Sequence, residues 1–289
     1  MNVIYVGDHA GRSEFHPTGE TEFVLITQLR DAAVSSATPL LFRATKIKDQ
    51  SGRTLLQRSI ERFARSSSVR PGSWIFDTLC TRLLGWSICG ALALYGIDFC
   101  CARNAMRGRG AAIVFRNLVE TIATRGLQEP LSMNAPISDV WSLSKRCNLR
   151  CVHCYQDAEQ YSRQEMDLDE QFEVVEQLAG AGVGVVVLSG DEPLLNRHIF
   201  TLIQRFADHD IAIALDSNGI LIDRSTATEL REAGINSVQI SIDSISAACH
   251  DEFRGMRGAF ERARDAVGNC STHGIFTTVA TTVTQQKLL

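Results

Sequence analysis

Three thiols stand close together in Cys147-Asn148-Leu149-Arg150-Cys151-Val152-His153-Cys154-Tyr155, at C-x3-C-x2-C spacing. Thiolates at such intervals are soft ligands able to wrap one metal centre, and three of them leave a coordination position open. An open position is where a metal does chemistry. Two other readings stand beside this one. A structural zinc site would add His153 as fourth ligand, although zinc motifs usually come as two separated pairs. Inert thiols or a disulfide are disfavoured by three close cysteines in a chain of intracellular character. Immediately upstream, Val140-Trp141-Ser142-Leu143-Ser144 reads as a buried strand, which puts the loop at the carboxyl end of a strand, where α/β folds place their sites.

The elements that must hold this loop follow it. Leu168, Phe172, Val175 and Leu178 line one helix face, and Ile199, Leu202, Ile203 and Phe206 line another. Strands are predicted over 183–188, 211–215, 238–242 and 276–283, with helices over about 225–233 and 258–267. Alternating helices and strands with short connections make βα units around a parallel sheet, five strands counted from Val140. The expected fold class is α/β, a partial (β/α) barrel preceded by a mostly helical amino-terminal region.

If the sheet is a partial barrel, its carboxyl ends should carry site residues. Ser189-Gly190-Asp191-Glu192-Pro193 closes the second strand; glycine permits close backbone approach and the carboxylate offers a negative partner to a cation. Asp216-Ser217-Asn218-Gly219 closes the third strand and Ser241-Ile242-Asp243-Ser244 the fourth. Alternation puts Ser241 and Asp243 on one side, facing the barrel interior, where a hydroxyl and a carboxylate suit ribose hydroxyls. In His250-Asp251-Glu252-Phe253-Arg254-Gly255-Met256-Arg257-Gly258-Ala259-Phe260, the Arg254 guanidinium is shaped for bidentate carboxylate binding. Taken singly, each motif also reads as a plain turn or a loop capping a helix.

Taken in order, one per βα unit over about residues 137–286, these motifs resemble the radical S-adenosylmethionine (radical SAM) superfamily. The nonapeptide looks most like the branch of peptide- and protein-modifying maturases and haem or quinone cofactor biosynthesis enzymes. The resemblance implies a [4Fe-4S] cluster on Cys147, Cys151 and Cys154, with S-adenosylmethionine on the fourth iron. It implies reductive cleavage of S-adenosylmethionine to a 5′-deoxyadenosyl radical that abstracts hydrogen from a peptide, protein or small cofactor-precursor substrate. Reduced ferredoxin or flavodoxin is the implied electron donor. The implied cofactor contacts are Tyr155; Gly190, Asp191 and Glu192, similar to the family's "GGEP" around the ammonium; Asn218 in its "TNG" turn; Ser241 and Asp243 at the ribose; and Arg254 at the methionine carboxylate. Asp191 stands where the motif has its second glycine. If that position needs a positive φ, a Cβ costs about 1 kcal/mol or more, although Asp tolerates it better than most residues.

A length of 289 residues suffices for a full core, and a net charge of −4 gives no bulk attraction to nucleic acid or anionic membrane. No aromatic-basic interleaving near the site points to nucleic acid. The longest apolar stretch, 83–97, is broken by Gly85, Ser87 and Gly90 and falls short of the roughly 20 residues of a spanning helix, so no membrane span is expected. Nine cysteines without regular pairing, and no signal-like start, indicate a reducing cytoplasm. The expected division is 1–70, of uncertain α+β structure with β-like runs at 3–6 and 23–26; 71–136, helical with a linker; and 137–289, a radical SAM core that ends early, at about five of the family's usual six units. His9 and His16 read as surface residues, and Cys80, Cys89, Cys100 and Cys101 form no compact chelating loop. Arg103, Arg107, Arg109 and Arg116 read as a solvated face or a contact for an acidic electron donor or substrate, and Cys249 and Cys270 as packing residues. The outer edge of strand five calls for cover, from an amino-terminal strand, a longer chain or a partner. The competing function is a non-catalytic metal-binding (zinc or iron-sulfur) interaction module or an inactive fragment.

Overall fold

The computed structural model describes residues 46–48, 54–56, 58, 108–125, 132–154 and 165–283. Five parallel strands lie side by side in chain order: β1 (Ser138–Ser142), β2 (Val185–Ser189), β3 (Ala212–Ser217), β4 (Ser237–Ser241) and β5 (Phe276–Ala280). Parallel neighbours cannot be joined by tight hairpins, so the connections carry helices. Helix α1 (Ala111–Arg125) precedes β1; α2 (Leu168–Ala181), α3 (Ile199–Asp208), α4 (Arg224–Ala233), α5 (Ala247–Arg254) and α6 (Ala259–Thr272) follow in the crossovers. This is the expected arrangement of five βα units. Helix α5, read from sequence only as part of a motif, is an addition to it.

The helix ends are legible in the residues that form them. Asp167 starts α2 with a capping box: its side chain accepts from Glu170 N–H at 2.9 Å, and the Glu170 carboxylate accepts from Asp167 N–H at 2.9 Å. Asp223 likewise accepts from Thr226 N–H at 2.8 Å to start α4. Between these caps the strands alternate. Val186, Leu188, Ile213, Leu215, Val238 and Ile240 are fully buried beneath Leu202, Ile203, Phe206, Leu230 and Ala263 of the helices. The intervening strand residues therefore turn to the opposite, inner face.

One strand differs from expectation. The stretch predicted as buried at 140–144 forms β1 two residues earlier, at the sheet edge. Trp141 packs edge-on against Phe206 with ring centroids 6.2 Å apart, but Val140 is 65% exposed. An edge strand has a single neighbour, so its inner-face side chains have less to cover them. Strand β5 is also shorter than predicted. Beyond it Thr281 Oγ1 donates to Ile242 O at 2.6 Å and Thr282 N–H to Asp243 Oδ1 at 2.9 Å, which tie the chain to the end of β4.

Helix α1 covers the amino-terminal end of the sheet. Arg109 donates to Gly234 O at 2.6 Å, Asn117 to Gly182 O at 2.6 Å, and Gly110 N–H to Asp210 O at 2.7 Å. These carbonyls close α4, α2 and the turn before β3, so α1 satisfies acceptors that helix ends leave unpaired. Arg109, expected on a solvated or donor-binding face, is spent on this task. Leu55 and Leu56 pack with Val119 of α1. The predicted strands at 3–6 and 23–26, residues 71–107 of the region expected to be helical, His9, His16, Cys80, Cys89, Cys100, Cys101, Arg103 and Arg107 lie outside the described residues.

Candidate active site

The loop after β1 carries Cys147 and Cys151, half-buried, and Cys154, exposed. Two backbone hydrogen bonds bind it to the end of α5: Arg150 N–H to Arg254 O at 3.3 Å and Val152 N–H to Phe253 O at 3.0 Å. A Cβ on Gly255 (φ +68°) would lie 2.4 Å from Arg150 O. Glycine there serves both the left-handed turn that ends α5 and the closeness of the two chains. His153 stacks on Phe253 with ring centroids 4.1 Å apart. Tyr155 lies outside the described residues.

The turn after β2 holds the loop from the other side. Asp191 N–H donates to Ser144 O at 3.3 Å and Glu192 N–H to Arg146 O at 3.0 Å. Arg146 reaches Leu195 O at 3.0 Å and pairs with Glu165 at 2.8 Å, and the Ser144 hydroxyl donates to Glu165 at 2.6 Å. Glu165 had no signature in the sequence. The left-handed residue of this turn is Gly190, φ +111°, where a Cβ would sit 2.9 Å from Ser144 O. Asp191 is not among the residues with positive φ, so the change from glycine carries no left-handed penalty.

Adjacent carboxylates have opposite circumstances here. Glu192 is fully buried and accepts from Leu194 N–H at 3.2 Å, Ser217 Oγ–H at 3.0 Å and Asn218 N–H at 2.9 Å. Burial pushes its carboxyl up to about 7, with those donors opposing. It clamps the turns after β2 and β3 together. Asp191 Oδ1 is buried with no hydrogen-bond partner among the described residues, and burial raises its carboxyl too, with Lys145 opposing. Asn218 Nδ2 donates to Asn148 Oδ1 at 2.7 Å and lies 3.9 Å from Cys147 Sγ, fastening the β3 turn to the cysteine loop.

Beyond β4, residues assigned separate roles from sequence are bonded to each other. Ser241 lies half-buried on the inner face. Asp243 Oδ2 accepts from Arg254 Nε at 2.6 Å, and Arg254 Nη1 lies 3.7 Å from Cys151 Sγ. Asp243 N–H donates to His250 Nδ1 at 3.2 Å, while Asp251 accepts from Gly258 N–H at 2.5 Å and Phe260 N–H at 2.9 Å to start α6. Sequence reasoning drew only Arg254 from this segment; His250 and Asp251 set the architecture around it. Of the two outlying thiols, Cys270 packs in the core as expected, whereas Cys249 is exposed on α5 and packs nothing away.

Burial pushes the Cys147 thiol up to about 11; Leu149 N–H opposes this, and Glu192, Cys151 and Asp191 add to it. Cys151 is raised by burial, with Arg254 opposing. Thiols beside carboxylates hold their protons until a cation compensates, so a metal bound here would displace protons. Among the described residues no three Cys, His, Asp or Glu side chains converge on one ion-binding point. An iron-sulfur cluster makes a smaller demand, since its thiolates attach to different irons.

The sequence profile of the radical SAM superfamily matches residues 141–285. The chain belongs to this superfamily. The Fe-coproporphyrin III synthase of Methanosarcina barkeri is 35% identical over 150 residues, covering 52% of this chain and 37% of the synthase. The mycofactocin maturase MftC of Mycolicibacterium smegmatis is 29% identical over 157 residues, covering 54% of this chain and 40% of the maturase. The chain thus spans between 37% and 40% of the length of these relatives. The crystal structure of Streptococcus suis SuiB bound to S-adenosylmethionine matches 73% of this chain and 48% of that one, with TM-score 0.50 and 18% identity, and bears on the fold alone. The radical SAM barrel expected from the ordered motifs is therefore the observed one. No helix among the described residues is long and apolar enough to cross a membrane.

Proposed function

We propose that this radical SAM chain holds a [4Fe-4S] cluster on Cys147, Cys151 and Cys154, with S-adenosylmethionine beside it. The observation that carries the proposal is the interlocking of the cysteine loop with the turns after β2 and β3 and the end of α5. It gathers three soft ligands, a carboxylate oxygen without a donor and a guanidinium at one end of the sheet. When bound, the cluster supplies the electron that splits S-adenosylmethionine into methionine and a 5′-deoxyadenosyl radical, which takes hydrogen from the substrate.

The protein's own residues bind and orient. Gly190 lets the backbone come close, and Asp191 Oδ1, buried without a donor, fits an ammonium, because buried acceptors are stable only when bonded. Glu192, committed to three donors, shapes this turn. Ser241 offers a hydroxyl to the ribose. Asp243 fixes the Arg254 side chain, whose remaining capacity suits the methionine carboxylate. Asn218 steadies the loop through Asn148, and Tyr155 completes the cofactor contacts.

The relatives support a peptide, protein or small cofactor-precursor substrate. Reduced ferredoxin or flavodoxin would deliver the electron, in the cytoplasm. We assign the catalytic core to 137–289, preceded by regions 1–70 and 71–136. Anaerobic reconstitution tests the reading: a brown protein with about four irons per chain, which Cys151→Ala loses, and 5′-deoxyadenosine formed under strong reductant. A colourless protein binding one zinc would instead make this a metal-stabilised interaction module.

A further inference from the structure

The register of the sheet lines up two rows on its inner face. Ser142 pairs with Ser189, Asp216 with Gln239, and Gln239 with Thr278. Asp216 accepts from the Ser189 side chain and from Gln239 Nε2 at 3.3 Å. One polar side chain from each of the five strands thus forms a continuous row with a single carboxylate at its centre. Two residues nearer the amino-terminal ends, Val140, Val187, Ala214, Ser237 and Phe276 pair across the same strands. This second row is small in the middle and bulky at its edges, with Val140 65% and Phe276 69% exposed. No Lys, Arg or His occupies any position of the five strands.

We infer that these two rows are a substrate-recognition strip: Asp216 receives an N–H donor of a peptide-like substrate, and an apolar side chain of the same substrate lies in the lower row between Val140 and Phe276. The inference rests on the proposed function, which generates the radical at the carboxyl end of these strands, so that a substrate must lie along their inner face. Hydroxyl, carboxylate and amide groups in one row match the mixed donors and acceptors of amides, and a carboxylate away from bulk water makes a charge-assisted bond to N–H. A polycarboxylate tetrapyrrole finds no cation on the strands and meets Asp216 as a like charge, the kind of unpaired contact that rejects a competitor.

The test uses the cluster-loaded full chain as wild type, D216N and D216R, with iron per chain as the folding control. The probes are a random-sequence peptide library, sequenced after selection, and iron coproporphyrin III, followed by its Soret band. The wild type should select peptides whose affinity falls about tenfold in D216N. It should not bind iron coproporphyrin III at micromolar concentration, whereas D216R should gain that binding. Failure to select any peptide, peptides bound equally by D216N, or tight binding of iron coproporphyrin III by the wild type would each overturn the strip, the last in favour of a tetrapyrrole. Wild-type 5′-deoxyadenosine formation is measured in the same preparations. Its absence would sink the reading of the cysteine loop; its presence with unaltered peptide binding would sink the strip alone.

Discussion

On the outer face of the sheet Leu188, Leu215, Val238 and Ile240 are fully buried; at the carboxyl-end rim Glu192, Asp243, His250 and Arg254 are buried as well. The first group is held by apolar burial, which is non-directional and tolerates change of shape at constant volume. Each atom of the second group must find a partner, because a buried polar group left unpaired costs about 1 to 3 kcal/mol and a charge more. The outer face therefore specifies that a barrel forms, while the rim specifies where each loop sits to within a hydrogen bond.

The comparison breaks most visibly at Asp243. Asp243→Ala leaves Arg254 buried without its carboxylate, and loss of one partner of a buried pair costs about 3 to 5 kcal/mol. Urea unfolding should show this loss, and the double variant with Arg254→Met should recover much of it. If Asp243→Ala cost less than 1 kcal/mol, the rim would be no more specific than the core. On the outer face, Leu215→Ala should cost about 3 kcal/mol, but Leu215→Met less than about 1.5 kcal/mol. Asp243→Asn, which like Leu215→Met nearly conserves volume, should cost more than Leu215→Met, and the reverse order would refute the contrast.

Next in size is the pH dependence of Glu192, whose carboxyl is raised from 4.5 to about 7 by burial. A carboxyl raised in the folded state favours folding while protonated. That stability is fully present below the unfolded value and is lost as pH rises through the folded one. Between pH 5 and 8 the wild type should lose on the order of 2 kcal/mol that Glu192→Gln does not lose. Parallel pH profiles of the two proteins would show that the clamp is not titrating.

This contrast also explains what was legible beforehand. The βα order followed from apolar spacing such as Ile199, Leu202, Ile203 and Phe206, and from caps such as Asp167 and Asp223, because these signals are local. The cysteine loop was legible because three thiols in eight residues have few other uses. What stayed hidden were partnerships across long sequence separations: Arg254 with Asp243, Ser144 and Arg146 with Glu165, Arg109 with Gly234. A side chain's partner depends on how loops from different strands meet, and composition does not encode that. Val140 misled for a related reason. An apolar residue in a strand reads as buried, yet whether its strand has one neighbour or two is decided by the whole sheet.

The smallest expected loss of stability falls at the rim's exception, Asp191. Its Oδ1 is buried without a hydrogen-bond partner among the described residues, and its backbone is free of left-handed strain. Unlike Asp243, then, Asp191 has no bond to lose. Asp191→Asn and Asp191→Gly should therefore lower stability by no more than about 0.5 kcal/mol, and relief of a buried acceptor that has no partner acts in the opposite direction, by up to about 1 to 3 kcal/mol. The effect should surface when S-adenosylmethionine binds to the cluster-loaded protein, measured by equilibrium dialysis. Losing a charged acceptor for the ammonium should weaken binding about tenfold, while an analogue with hydrogen in place of the amino group should bind wild type and variants alike. Equal weakening for both ligands would show that Asp191 acts through the shape of the turn. No weakening for either would mean that its carboxylate faces some other group, and the rim would then hold a buried charge that the cofactor does not explain.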